Sequence, residues 1–307
     1  MLPISKYHGC GNDFVIVREK DFADFANDPG AFAAKICSRH TGAGADGLII
    51  VCEDPLEMWI FNSDGSRAPM CGNGIRCFAH FCLLEGLTDD DSYTVKTLAG
   101  DMNVSVLSKG PFFAEIDLGK PEEDKGDGPF CLAAFARQKG PSPLSSSLEV
   151  SCSGMDAPMR FEVSSIFLGA MHTVVWLGDD PSPGAEGLLG DDCSVFDLAE
   201  DSEAIRIARA ISEHPHFPDR TNVNLAKVTG PKKLELVTYE RGAGLTLACG
   251  TGAASTVVIG YLEGRLENEV SVAIRLGELN IRIREDGHVF MNGPSERIMK
   301  GYYHGSD

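Results

Sequence analysis

Two Cys-Gly-x-Gly stretches stand out for chemistry, Met70-Cys71-Gly72-Asn73-Gly74 and Ala248-Cys249-Gly250-Thr251-Gly252. Each opens an apolar segment of helical character, Ile75, Cys77, Phe78, Phe81, Cys82 in the first and Ala253, Ala254, Val257, Val258, Tyr261, Leu262 in the second. A cysteine just before a helix meets exposed backbone N–H groups and the positive end of the helix dipole, which favour the thiolate. One such cysteine is equally well explained as a small packing residue at a glycine-rich turn. Two in equivalent positions of two halves predict a matched pair of thiols acting on opposite faces of one substrate. One thiolate then removes a proton from a stereocentre and the opposing thiol returns one, which is the requirement of a racemase or epimerase.

Removing an α-proton from an amino acid is difficult because the carbanion is poorly stabilised, and pyridoxal phosphate on a Schiff-base lysine is the common remedy. No lysine here has that context, so the expected reaction uses no cofactor and no metal. It then depends on a dry site and on donors placed for the charge that develops on the substrate carboxylate. The backbone N–H groups of Gly72, Asn73, Gly250 and Thr251, at the two helix starts, are suited to that. Asn12, Asn62 and Asn222 occupy turn positions that would suit an asparagine with or without a function. Arg241, after Glu240, offers bidentate geometry for a carboxylate. His172, flanked by apolar strand residues, reads by itself as a core histidine.

Stepping outward, 307 residues suffice for two domains of ordinary size, and 43% hydrophobic with 23% charged residues is an ordinary globular composition. The formal net charge of −18 argues against nucleic acid as a partner. A small anionic amino acid remains compatible, since buried arginines can serve it within an acidic surface. The ten cysteines show no C-x-x-C pair or regular framework, and read as mostly reduced and buried, in a cytoplasmic protein. No apolar run is long enough to span a bilayer, so no membrane role is expected, while a homodimer is left open.

Strands are expected at Phe14–Val17, Leu48–Val51, Met58–Phe61, Tyr93–Thr97 and Met102–Val106 in the first half. In the second they are expected at Thr173–Leu177, Val223–Val228, Leu234–Tyr239, Val270–Ile274 and Leu279–Ile283. Helices are expected at Pro29–Ser38, about 73–86, and Glu203–Glu213, with the second cysteine helix after residue 249. The Gly-, Pro- and Ser-rich stretch 119–147 reads as linker and surface loop. The resulting expectation is an α+β fold of two pseudo-symmetric domains, each of mostly antiparallel strands wrapped around a central helix. The boundaries are 1–118 with Cys71, a loop-rich connecting segment 119–160, and 161–288 with Cys249.

Four stretches together resemble the diaminopimelate epimerase family: Lys6-Tyr7-His8-Gly9-Cys10-Gly11-Asn12-Asp13-Phe14, Phe61-Asn62-Ser63-Asp64-Gly65-Ser66, Met70 through Cys77, and Glu240-Arg241-Gly242 through Gly252. The resemblance runs from about residue 6 to 295, and it implies a fold of two pseudo-symmetric halves in which the tail from about 289 to 307 returns to the first domain. It implies cofactor-independent, two-base epimerisation of LL- and meso-diaminopimelate, serving lysine and peptidoglycan synthesis. It also implies Cys71 and Cys249 as the acid–base pair, with His172 and Glu240 setting the thiol protonation states. Asn12, Asn62 and Asn222 would contact substrate, and Arg241 would hold the distal carboxylate. One departure stands out: the family's Gly-Asn-Pro-His is Gly169-Ala170-Met171-His172 here. Alanine offers no side-chain hydrogen bond in place of asparagine. That motivates the alternative of a racemase for another amino acid, such as histidine, on the same fold.

Overall fold

The computed structural model describes residues 1–122, 144–190 and 192–305, and the chain divides into two compact units. The first comprises Met1–Asp117 with Asn292–Asp307 and the second Leu118–Met291.

In the first unit, strands Leu2–Gly9 and Asn12–Arg18 form a hairpin in which Gly9 pairs with Asn12. The two turn residues, Cys10 and Gly11, both have positive φ (54° and 90°), as the twist of a two-residue hairpin requires. Asn12–Arg18 then pairs in parallel with Gly47–Glu53, and the crossover carries helix Pro29–Ile36. Asp28 caps that helix, accepting from the Gly30 and Ala31 amides, with Pro29 in the first turn. Gly47–Glu53 pairs antiparallel with Leu56–Asn62, and a meander Ser92–Thr97, Gly100–Lys109, Phe112–Asp117 follows the cysteine helix Gly72–Leu84. The C-terminal strand Glu296–Tyr303 pairs antiparallel with Leu2–Gly9. Strand alternation splits the apolar residues between two faces. Leu2, Ile4, Val15, Val17, Leu48 and Ile50 pack with Phe22, Phe32 and Ile36. The cysteine helix lies over other residues of the sheet, with Gly74 close against Ile49 and Ile60.

The second unit repeats this order. Met171–Leu177 pairs in parallel with Asn222–Gly230, the crossover carrying helix Glu203–Ser212, capped by Ser202. Asn222–Gly230 pairs antiparallel with Lys233–Glu240, which reaches the parallel strand Glu269–Ile274 through the second cysteine helix, Gly250–Leu262. Gly277–Ile283 completes a hairpin with Glu269–Ile274. Val175, Leu177, Val223, Leu225 and Val237 pack with Ile205, Ile207, Ala208 and Ile211 of the Glu203–Ser212 helix. The second cysteine helix is buried nearly all round, consistent with its uniformly apolar sequence.

Each expected helix and strand is present with ends displaced by a few residues, for example Pro29–Ile36 for Pro29–Ser38 and Gly72–Leu84 for 73–86. One reading is corrected. Ser145–Ser147, assigned to loop, belong to strand Ser145–Val150, which pairs antiparallel with Met159–Phe167 inside the segment expected to be loop-rich. Its serine content suggested a linker, whereas the alternation of Leu148 and Val150 into the core decides the outcome. Residues 123–143 of that loop assignment lie outside the described residues. Among the described residues no helix is long and apolar enough to cross a membrane.

Candidate active site

Cys71 occupies the cap position of its helix in extended backbone, and its sulfur accepts the Gly74 amide at 3.5 Å. The thiol donates to Asn12 Oδ1 at 3.7 Å, and Asn73 Nδ2 donates to the same oxygen at 3.1 Å. The other end of the Asn12 amide is fixed too, because Nδ2 donates to Asp46 Oδ2 at 2.9 Å. Asp46 and Asp13 are bridged by Arg39, and Lys6 pairs with Asp13 at 2.9 Å. Burial alone would raise the Asp13 carboxyl, but hydrogen bonds from Arg39 and Lys6 outweigh it and hold it below its usual range. Beneath this group lies Arg76, fully buried, donating from Nη2 to Asn73 Oδ1 (2.8 Å), from Nη1 to Gly72 O and from Nε to Pro294 O (both 3.2 Å). Burial lowers the hold of Arg76 on its proton, and the thiols of Cys10, Cys77 and Cys71 act in the opposite sense. An arginine stays charged in such a setting, so a fixed cation underlies the start of this helix. Gly9 makes room for it: a Cβ there would fall 3.0 Å from Arg76 Nη2.

Cys249 holds the same cap position on its own 13-residue helix. Its sulfur lies 3.6 Å from Thr251 Oγ1, which is 3.0 Å from His172 Nε2. His172 Nδ1 is 3.3 Å from Asn224 Nδ2, and Asn224 Oδ1 accepts from Thr238 Oγ1 at 3.0 Å. His172 is wholly buried. Desolvation pushes its pKa down to about 3, aided by the charge of Arg241. The imidazole is therefore neutral at physiological pH.

The remaining expected residues are placed as follows. Asn222 Oδ1 accepts the Arg241 amide at 2.9 Å, and the Arg241 guanidinium, exposed, donates to Asp219 O at 2.9 Å. Glu240 Oε1 accepts from Thr246 Oγ1 at 2.6 Å. Asn62 ends strand Leu56–Asn62, opposite Gly47, and donates to Ser66 Oγ at 2.9 Å within its own turn. The first unit thus gathers Cys71, Asn12, Gly72 and Asn73. The second links Cys249, Thr251 and His172 in one run of hydrogen bonds and joins Asn222 to Arg241, while Glu240 is held by Thr246.

Nine cysteines are free thiols among the described residues. Burial pushes Cys37 and Cys77 up to about 12 and Cys52 up to about 11, which makes them inert at neutral pH. Sequence reasoning missed Asp46, Arg76, Asn224 and Thr238. A signal existed for two of them. Arg76 is a charge three residues after Asn73 in a mostly apolar helix. Asn224 lies two residues after Asn222, on the same strand face, between Val223 and Leu225 of the core face.

Two topologically repeated α+β units, each with a cysteine at the cap of a central helix, define the fold class. The same fold is found in a probable proline racemase from Agrobacterium radiobacter, with TM-score 0.68, 12% identity, and 99% of this chain and 93% of that one covered. A predicted epimerase from Pseudomonas aeruginosa shares it at TM-score 0.62 and 17% identity over the whole of both chains. At such identities the likeness carries the fold alone. In sequence, the family model for diaminopimelate epimerase matches residues 4–123 and 189–298. A diaminopimelate epimerase of Alkaliphilus metalliredigens is 34% identical over 307 residues, covering 98% of this chain and 97% of that protein. One from Desulfitobacterium hafniense is 35% identical over 306 residues, covering 98% and 97%. This chain belongs to the diaminopimelate epimerase family.

Proposed function

We propose that this protein interconverts LL- and meso-2,6-diaminopimelate by direct proton transfer between carbon and two thiols. Cys71 and Cys249 are the acid–base pair. In one direction one sulfur, as thiolate, takes the α-proton and becomes a thiol, while the other thiol gives its proton to the opposite face and becomes a thiolate. Reversal exchanges the roles, so no external oxidant, reductant or cofactor enters the balance. The observation that carries the reading is the recurrence of a helix-capping cysteine in both units of a chain of this family.

The supporting roles follow from chemistry. As the α-carbon loses its proton, charge builds on the adjacent carboxylate, and the first-turn amides of Gly72, Asn73, Gly250 and Thr251 are donors of the kind that stabilise it. Asn12, Asn62 and Asn222 would hold the ammonium and carboxylate groups at the reacting end. Arg241, exposed and ending in a planar fork, is suited to a second carboxylate remote from it. Glu240 and neutral His172 would set the protonation of the thiols. Reduced thiols and a small polar substrate fit a cytoplasmic setting.

The test is α-proton exchange in D₂O with LL-diaminopimelate and a panel of monocarboxylic L-amino acids, using protein dialysed against EDTA. Deuterium in meso product, with much slower exchange of the panel, is expected. Faster exchange of histidine or another monocarboxylic amino acid would overturn the substrate assignment, and activity restored only by added metal or pyridoxal phosphate would overturn the mechanism.

A further inference from the structure

Asn224 and Thr238 lie opposite each other on adjacent strands, both buried, and both outside the set of residues expected to touch substrate. The hydrogen bonds they make have a direction. Thr238 Oγ1 donates to Asn224 Oδ1, which leaves the Nδ2 end of the amide facing His172 Nδ1. An amide nitrogen only donates, so Nδ1 must accept and carry no proton. The ring is neutral, and its one proton therefore sits on Nε2, which donates to Thr251 Oγ1. The Thr251 hydroxyl has accepted that bond, and its own hydrogen is available to the Cys249 sulfur. Were the Asn224 amide turned over, every bond would reverse: Nδ1 would carry the proton, Nε2 would accept from Thr251, and the Thr251 hydrogen would no longer be available to the sulfur.

Gly252 gives independent support. A Cβ at that position would lie 2.7 Å from Asn224 Oδ1, 3.1 Å from Thr238 Oγ1 and 3.2 Å from Cys249 Sγ. The second glycine of the Cys-Gly-x-Gly motif is thus the point where the start of this chain and the sulfur come together, and any side chain there would part them. The charge acting on His172 is that of Arg241, and the carboxylate on the Thr238 strand, Glu240, accepts from Thr246.

We propose that Asn224 and Thr238 are positioning residues for Cys249: they fix His172 in its Nε2–H tautomer, so that the Thr251 hydroxyl donates to the Cys249 sulfur and favours the thiolate. This rests on the reading of Cys249 as an acid–base group.

Two measurements on the full-length protein test it without any substrate. Nitrogen-15 NMR of the histidine rings, with His172 assigned by its loss in His172→Gln, should show a protonated Nε2 and a bare Nδ1 in the wild type. Alkylation of Cys249 by iodoacetamide as a function of pH, read by mass spectrometry on its own peptide, should follow a titration that moves up by about one pH unit in Thr238→Val, the size expected of one hydrogen bond to a charged group. Thr238→Ser, which keeps the hydroxyl, should titrate like the wild type. A protonated Nδ1 in the wild type, or a Thr238→Val titration indistinguishable from the wild type, overturns the proposal. Failure of the catalytic reading would look different, with the Cys249 titration behaving as described but no exchange of diaminopimelate.

Discussion

The two cysteine sites share a motif, a cap position and a helix of 13 residues, yet their surroundings are built from different chemistry. Around Cys71 the network is charged. A buried guanidinium, Arg76, orients Asn73, and an ion cluster of Asp46, Arg39, Asp13 and Lys6 orients Asn12, whose carbonyl oxygen faces the sulfur. Around Cys249 the network is neutral, running from hydroxyl to amide to imidazole to hydroxyl. The local motif therefore supplies only what both thiols need, a cap position and close backbone approach. The residues packed around that motif differ between the two units, charged in the first and neutral in the second.

The largest expected effect tests whether the sites are equal partners. Cys71→Ala and Cys249→Ala should each lower epimerisation by about 10²–10⁴-fold in both directions, the scale of a lost general acid or base. A single alanine variant that retains near wild-type rates in both directions would reduce the pair to one working thiol.

Next in size is removal of the buried cation. Arg76→Met keeps much of the side-chain volume but leaves Asn73 Oδ1, Gly72 O and Pro294 O without this donor. Breaking such a buried charged network costs about 3–5 kcal/mol, so urea denaturation should show a loss of that order. Thr238→Val, in the neutral network, should cost less, about 1–3 kcal/mol for one buried hydrogen-bonding partner. Equal losses in the two variants would show that the charged and neutral networks hold their units equally.

How much of this was legible in sequence follows from the range of each signal. Hydrophobic periodicity is local, and it marked the strands and helices that carry the site, from Phe14–Val17 to the two cysteine helices. It failed where composition misled, at Ser145–Ser147, and where strands such as Leu2–Gly9 and Glu296–Tyr303 gain their place by pairing with each other across nearly the whole chain. The cysteines, asparagines and the Glu240-Arg241 pair were visible as motif residues. Thr238 was not, because its role depends on the register that sets it beside Asn224 on the adjacent strand; Asn224 offered only its two-residue spacing from Asn222. His172 was legible as a position, but its neutrality comes from complete burial, a property of the packed unit.

That burial gives a pH dependence. The ordinary histidine value of 6.5 falls to about 3 for His172 in the fold. Below pH 6.5 the unfolded chain therefore binds a proton that the folded chain refuses. Stability contributed by this group is full above 6.5 and is lost as pH falls toward 3, at about 1.4 kcal/mol per pH unit. In His172→Gln the stability should fall less steeply over that window, as read by denaturant titration at several pH values. In the first unit His80, stacked on Phe112, is pushed down to about 4, chiefly by burial, and should keep its part of the acid sensitivity in that variant. An unchanged slope in His172→Gln would mean that His172 takes up its proton without unfolding, and that the neutral network is less closed than its burial indicates.

The smallest effect concerns Ala170, where the second site departs from the family's pattern. Ala170 stands where an asparagine is expected, in the short turn between strands Met159–Phe167 and Met171–Leu177. Its carbonyl accepts the Leu168 amide, and the neighbouring Gly169, at φ 70°, lies close to the Thr251 side chain, so the turn borders the start of the second cysteine helix. Alanine supplies no side-chain hydrogen bond there, so under the proposed function the substrate has one contact fewer. Ala170→Asn should therefore lower the KM for diaminopimelate, by at most about tenfold for one good hydrogen bond, with little change in kcat. The contact is made to ground state and transition state alike, which is why KM is the parameter expected to move. A fall in kcat with unchanged KM would show instead that the turn tunes Cys249 through Thr251, and that the asymmetry between the two sites extends to how each one meets the substrate.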